Sequence, residues 1–488
     1  MRHKCLCYNN SMEEKMYSGL FWRLMEKGMI RVFSFAVTII IARIITPEDY
    51  GVVAIISSVI EIFAVFIDSG LGNSLIQKKD SDDLDFSTVF CTNFVFCIIL
   101  YIIIFSISPI VSNFYSNPLM TPLIRVSGIT ILISAFKNIQ QAYISKTLDF
   151  RKFFYCSLIG TLVSGIVAVI MAYSGFGVWS LVALNLIDCA IDTLAMFFFV
   201  EWKPRFRFAF DRIKPLFSYG WKLTTSSLID VLFGRVVVFA IGKYESSASL
   251  AYFDKGYDMP SKITNGLNQS LSDVLLPSLA NKQNDIYEFK NTVKEILKLN
   301  YALLLPLIVG LAVASKNVIL VLLTEKWLPS LPYFVVSCIL CLLLPIHTIN
   351  LSSIKAIGKS NYYLRQEIIK KCLSLFSIFI LFKYGVLVMA WSLVVADLIS
   401  VFVDTWYSKE LYDYSLSEQI ADILPSIFIS AVVGTVVYLI SFISISNLLV
   451  ELIIQILVGA IIYLVLTFLM NKDSVKPLFN MIKDKLKK

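Results

Sequence analysis

Histidine is nearly missing from this chain. Two occur in 488 residues, His3 and His347, too few for a metal enzyme built on imidazole ligands. Charge is scarce as well: 16% of residues are charged and 57% are hydrophobic, where a soluble domain carries about 25% and about 45–50%. No GxxxxGK[ST] run is present, so ATP drive within this chain is not expected. The polar stretches between apolar runs are short and leave no room for a soluble catalytic domain. Two cysteine spacings resemble metal sites, Cys5-x-Cys7 and Cys338-x-x-Cys341, but neither has a second pair. Cys91, Cys97 and Cys189 lie inside apolar runs and read as small apolar packing. Neither a metal nor a cofactor is expected.

What is present is apolar, with a mean hydropathy of +0.75. A helix of about 20 apolar residues crosses the bilayer core, whereas a membrane β-barrel would show short alternating segments. The expected fold is therefore an all-α polytopic membrane protein. Fourteen spans are predicted, at roughly 20–45, 51–76, 86–108, 119–143, 153–173, 177–199, 216–242, 256–280, 297–323, 331–356, 371–383, 386–407, 424–443 and 449–470. The eleventh is short, and Asp254, Lys255, Asp258, Lys262 and Asp273 thin the apolar face of the eighth. The polar start MRHKCLCYNNSMEEKMY runs into the first span with no small-residue cleavage site, so no cleavable signal peptide is expected.

The net charge of +8 is sorted by loop. Segments after even-numbered spans are basic: Lys78-Lys79, Lys146/Arg151/Lys152, Lys203/Arg205/Arg207/Arg212/Lys214, Lys282/Lys290/Lys294 and Lys355/Lys359/Arg365/Lys370/Lys371. Loops after odd-numbered spans are nearly bare. By the positive-inside rule both termini are cytoplasmic, and the basic charge sets topology rather than binding nucleic acid. The stretch ARIITPEDYG (42–51) then turns span 1 into span 2 on the outer side. Pro47 should stop the first helix, Gly51 should let the second start close by, and Glu48 or Asp49 suits a helix N-terminus.

The chain also repeats itself. Residues 179–193, WSLVALNLIDCAIDT, match 391–405, WSLVVADLISVFVDT, at an offset of 212. Trp22 pairs with Trp221 at 199, Ser74 with Ser278 at 204, Val111 with Val318 at 207, and Pro122, Ser127 and Ile129 with Pro332, Ser337 and Ile339 at 210. Spans 1–6 are thus expected to repeat as 7–12. Six is even, so the repeat is parallel, about an axis along the membrane normal, with a path between the halves. The expected organisation is a cytoplasmic segment 1–19, an N-lobe 20–200, a basic linker 201–215, a C-lobe 216–407, two added spans within 424–470 and a basic tail 471–488.

Charge inside a membrane costs roughly 2.5–3.5 kcal/mol per residue and marks a wet cavity or a partner. Arg23, Lys27 and Arg31 form one stripe on span 1; Lys222, Ser226 and Asp230 form another on span 7, with Arg235 beyond. Two cationic helices facing one cavity would attract a phosphate or pyrophosphate, although snorkelling at the cytoplasmic end also explains Arg23 and Lys27. Asp68, with Glu61, on span 2, Asp188 and Asp192 on span 6, Asp230 on span 7, and Asp397 and Asp404 on span 12 are candidates for coupling to H⁺ or Na⁺, against ion pairing or helix–helix hydrogen bonding. His347, near Pro345, is a candidate relay group or a packed polar kink.

The runs WRLMEKGMIRVFSFAVTIIIARIITPEDYGVVAI, DSGLGNSLIQKKD with FSTVF after it, YFDKGYDMPSKI and LPSLA resemble the polysaccharide flippases of the multidrug/oligosaccharidyl-lipid/polysaccharide exporter superfamily, nearest the Wzx-type branch. The resemblance implies two six-helix lobes around a central cavity plus two extra helices. It implies a substrate of undecaprenyl-pyrophosphate-linked glycan, flipped across the bacterial inner membrane and held by cavity cations. Arg31 and Arg235 are carried over to that cavity by location. Ion-coupled antiport and association with a glycan polymerase and chain-length proteins also follow from it. Rival readings are a multidrug extruder of the same superfamily, a peptidoglycan-precursor flippase, an integral-membrane glycan polymerase and a scaffold. The first would want an acidic cavity and the third a sizeable outer loop.

Overall fold

The computed structural model describes residues 22, 25, 26, 28–68, 70–78, 80–147, 149–280, 282, 283, 285–443 and 445–470. Among them there is no strand. The helices run in order as α1 (28–44), α2 (Pro47–Asp68), α3 (Leu71–Gln77), α4 (Asp83–Phe114), α5 (Met120–Thr147), α6 (Phe150–Tyr173), α7 (Val178–Phe199) and α8 (Phe210–Tyr244). They continue as α9 (Ser247–Ala280), α10 (Ile286–Val313), α11 (Ser315–Leu322), α12 (Leu331–Ala356), α13 (Ser360–Leu381), α14 (Val386–Tyr412), α15 (Leu416–Ile440) and α16 (Leu448–Met470). Setting aside the short α3 and α11, each remaining helix falls on one of the fourteen spans read from the sequence.

Eleven of these are long and apolar enough to cross a membrane among the described residues. The three others are α1, described only over 28–44, and α9 and α13. Polar residues explain α9 and α13: α9 carries the charges noted above, and α13 opens with SNYYLRQEIIKK. The eleventh span was expected at 371–383, but α13 starts at Ser360. Arg365, Gln366, Glu367, Lys370 and Lys371 ahead of the apolar run are good helix formers, and the helix extends through them.

The turn region 42–51 differs from its expectation in two respects. Pro47 does not end a helix; it is the first residue of α2, where its missing N–H is no loss. Thr46 caps that end, its Oγ1 accepting from the Asp49 N–H at 3.3 Å. Gly51 is inside the helix, and its role is close approach: a Cβ there would lie 1.8 Å from the Ser247 carbonyl oxygen at the start of α9. Gly220 on α8 works in the same way, since its Cβ would lie 2.9 Å from the carbonyl carbon of Gly70, where the chain breaks between α2 and α3.

Contacts divide the chain after Leu250 into two compact units, Met1–Leu250 and Ala251–Lys488. By contact, α8 belongs to the first. Its core gathers Leu75, Phe86, Phe90, Ile139 and Met196 with Trp202. The basic linker docks on the acidic start of α4: the Trp202 indole donates to Asp83 at 2.8 Å, Arg205 pairs with Asp83 at 3.0 Å, and Arg212 with Asp85 at 3.3 Å. Lys78 reaches Asp85 from the other side at 2.5 Å. Asp82 caps α4 by accepting the Asp85 N–H at 2.9 Å. That hydrogen bond holds the Asp82 carboxyl below the usual carboxylate range. In the second unit the core is built from Phe289, Leu297, Tyr301, Ile349, Tyr412 and Tyr414, with a smaller cluster of Ile429, Val433 and Val437 under α16.

Candidate functional site

Arg23 and Lys27 lie outside the described residues, as do the side chains of Lys222 on α8 and Asp68 at the end of α2. Arg31 is exposed on α1 and makes no ion pair with a described residue. Asp230 is exposed on α8. Among the expected cations whose side chains are described, Arg235 has a defined partner: its guanidinium pairs with Glu61 on α2, both half-exposed. Glu61 lines a cavity of about 310 Å³ with Ser57, Ser127, Thr130, Asn185 and Cys189, drawn from α2, α5 and α7. That gives the first unit a polar pocket among its apolar helices, with an intramembrane ion pair at its wall.

Deeper in the same unit, Lys137 of α5 lies 2.7 Å from Asp192 of α7. The carboxylate is 5% exposed and the ammonium 20%. Asp188, one turn earlier on α7, accepts instead from the hydroxyls of Thr161 and Ser164 on α6, at 3.3 and 3.4 Å. A Cβ on Gly160 would lie 3.2 Å from the Asp188 carbonyl oxygen, so a small residue there lets α6 approach. Lys137 also lines a second polar cavity of about 290 Å³ with Asn73, Ser134, Asn138, Gln141 and Ser145. Sequence reasoning named Asp188 and Asp192 but missed Lys137, which has no charged neighbour one turn away. Arg125 on α5 was missed too; its Nε donates to Ser108 at 3.0 Å and its guanidinium carbon lies 3.8 Å from the Phe105 ring centroid.

The second unit has a comparable cluster. His347 on α12 stands between two carboxylates of α14. Its Nδ1 meets Asp404, and its Nε2 lies 3.2 Å from Asp397. Asp404 is fully buried and is reached from α13 by Gln366 and by the Lys370 ammonium at 3.4 Å. Asp397 keeps a third of its side chain exposed. The structure thus brings together the two acids expected on span 12 and places His347 between them. One turn along α12, Asn350 accepts from Ser408 at 2.7 Å and Tyr412 at 3.0 Å. No group of three His, Cys, Asp or Glu side chains suited to a metal ion occurs among the described residues. Elsewhere in this unit α10, α11, α15 and α16 enclose an apolar cavity of about 460 Å³, lined by residues such as Leu307, Gly310, Val433, Ile456 and Gly459.

Comparison with known proteins gives these features a setting. Residues 40–332 match the model of the family described as polysaccharide biosynthesis protein. The chain is 23% identical over 335 residues to the lipopolysaccharide biosynthesis protein WzxC of Escherichia coli K12, covering 68% of each. It is 22% identical over 434 residues to the teichuronic acid biosynthesis protein TuaB of Bacillus subtilis, covering 88% of this chain and 90% of that protein. Among solved structures it superposes on the lipid II flippase MurJ in an inward closed conformation with a TM-score of 0.75 at 17% identity, over 93% of this chain and all of that one. The match to MurJ shows a shared fold, and the family match covers more than half of the sequence: this chain belongs to the polysaccharide biosynthesis protein family.

Proposed function

We propose that the protein is a flippase. It moves an undecaprenyl-pyrophosphate-linked oligosaccharide repeat unit from the cytoplasmic to the outer leaflet of the bacterial inner membrane, for O-antigen, capsule or exopolysaccharide synthesis. The observation that carries this reading is the Arg235–Glu61 pair at the wall of a polar intramembrane cavity. Half-exposed and inside the span, Arg235 is a cation that a pyrophosphate can take over from Glu61, because guanidinium forks bind phosphate oxygens in pairs. The serine, threonine and asparagine side chains beside it suit sugar hydroxyls. The isoprenoid tail stays in lipid, with the apolar cavity between α10, α11, α15 and α16 as its resting place.

The names of WzxC and TuaB, both of polysaccharide biosynthesis, and of MurJ, a lipid flippase, support the substrate class. The basic loops after even-numbered spans support cytoplasmic termini. The sequence repeat supports two lobes that alternate access, and intramembrane carboxylates support ion coupling. Association with a glycan polymerase and chain-length proteins follows from the task itself, since flipped units must be polymerised.

Deletion of the gene in its host tests the reading. Undecaprenyl-linked glycans would be extracted after exposure to a periplasmic glycan-cleaving probe. Completed units trapped on the cytoplasmic side are the expected outcome; completed units reaching the periplasm normally would overturn it.

A further inference from the structure

The two buried clusters are related by the internal repeat. The match of Pro122, Ser127 and Ile129 to Pro332, Ser337 and Ile339 has an offset of 210, and the same offset takes Lys137 to His347. The match of 179–193 to 391–405 has an offset of 212, and it takes Asp192 to Asp404. Lys137–Asp192 and His347–Asp404 are therefore one cross-helix pair present twice, between α5 and α7 and between α12 and α14. The duplicated chain kept the carboxylate and changed the cation.

The change is chemically pointed. An ammonium stays charged throughout the physiological range, while an imidazole gains or loses its proton within it. The neighbours changed as well. Asn185 in the first copy corresponds to Asp397 in the second, which adds a carboxylate on the other side of the ring. Asp397 has no ion-pair partner but His347 among the described residues.

We propose that His347 is the proton carrier of this transporter, loaded through Asp397 and anchored by Asp404, and that the Lys137–Asp192 pair is its fixed, non-titrating counterpart. The inference rests on the transport reading above and names its coupling ion as H⁺. Asp397 is partly exposed and Asp404 fully buried, so Asp397 is the carboxylate open to a proton arriving from outside the cluster. A proton from water on one side binds the imidazole and gives Asp397 its counter-charge. It leaves to water on the other side when access switches, and no other bond is made or broken. Other titratable groups of the cluster among the described residues include Lys370 of α13, which Asp404 shares with Glu367, Tyr412 of α14 near Asp404, and Tyr257 of α9 near Asp397 and Cys341, while the Tyr301 hydroxyl of α10 donates to the Leu342 carbonyl. Lys370 already balances Asp404 at 3.4 Å, so a cation is wanted only at Asp397.

The test uses the full chain in lipid nanodiscs, without glycan. Hydrogen–deuterium exchange, corrected for intrinsic rates, would be followed from pH 5.5 to 10.5, a range wide enough for an imidazole held between two carboxylates, in peptides of α12–α14 and α5–α7. The wild type should show a pH inflection in α12–α14 and none in α5–α7. His347→Lys, which copies the first repeat, should lose the inflection. Lys137→His should create one in α5–α7, so the proposal stays testable if either variant alone is unstable. A flat wild-type profile, an inflection that survives His347→Lys, or protection that follows Na⁺ at constant pH would overturn it. Failure of the deletion experiment would instead overturn the flippase reading and leave this titration standing.

Discussion

Lys137 and Asp192 hold α5 and α7 together by an ion pair 2.7 Å long in which the carboxylate is almost fully buried. The second oxygen of Asp192 has no hydrogen-bond partner among the described residues. Lys137→Ala would leave this acid without its counter-charge, and breaking a buried pair from one side costs about 3–5 kcal/mol. The variant should unfold at markedly lower temperature in detergent. The double variant Lys137→Met with Asp192→Leu should recover most of that loss, because an apolar pair of similar volume needs no desolvation. A double variant as unstable as Lys137→Ala would show that the site needs charge for folding.

Arg235 and Glu61 are both half-exposed, and a pair of that kind contributes about 0–1 kcal/mol to stability. Arg235→Ala should therefore leave the protein in the membrane at normal levels while blocking glycan export. Arg31→Ala is expected to act in the same direction. Full export by the double variant, measured as surface polysaccharide against membrane protein level, would remove the cationic cavity from the mechanism.

Gly51 tolerates no side chain. A methyl group would sit 1.8 Å from the Ser247 carbonyl, so α2 and the start of α9 would have to separate. Gly51→Val should give a folded-protein yield well below that of the neighbouring surface variant Glu48→Gln, read by size-exclusion chromatography of the purified protein. Equal yields would mean that this contact gives way freely.

Asp82 caps α4 and its carboxyl titrates below the usual range because it accepts the Asp85 N–H. A carboxyl whose folded value is depressed stabilises above its unfolded value, about 3.9, and that contribution is lost as pH falls through the folded one. Asp82→Ala should cost about 1 kcal/mol at neutral pH and nearly nothing in strong acid. Asp82→Asn, which keeps an acceptor, should lose less. Thermal melts at several pH values would show whether the cap or only the charge matters.

The long helices could be read in the sequence because a membrane leaves few other ways to satisfy a backbone. Their ends were less legible. Pro47 reads equally as a helix stop or a helix start, and Thr46 decides the matter only through a hydrogen bond. Asp404 and Asp397 were visible as acids within an apolar run, but their partner His347 is separated from them by 50 residues or more. Lys137 was hidden for a different reason: a single lysine in a span forms no stripe. The repeat contained the missing signal, since carrying His347 back by 210 positions arrives at it. The cationic stripe on the first span was legible only as a pattern; its side chains at Arg23 and Lys27 lie outside the described residues.

The docking of the basic linker on α4 gives the same charges two successive roles. With the cytoplasmic placement proposed above, Arg205 and Arg212 would first act as positive-inside charges that hold this segment on the side of synthesis. In the folded protein Asp83 and Asp85 claim them, with Lys78 joining from α3's end. On that reading an insertion signal becomes a strut, and the finished protein presents a face less cationic than the code that oriented it.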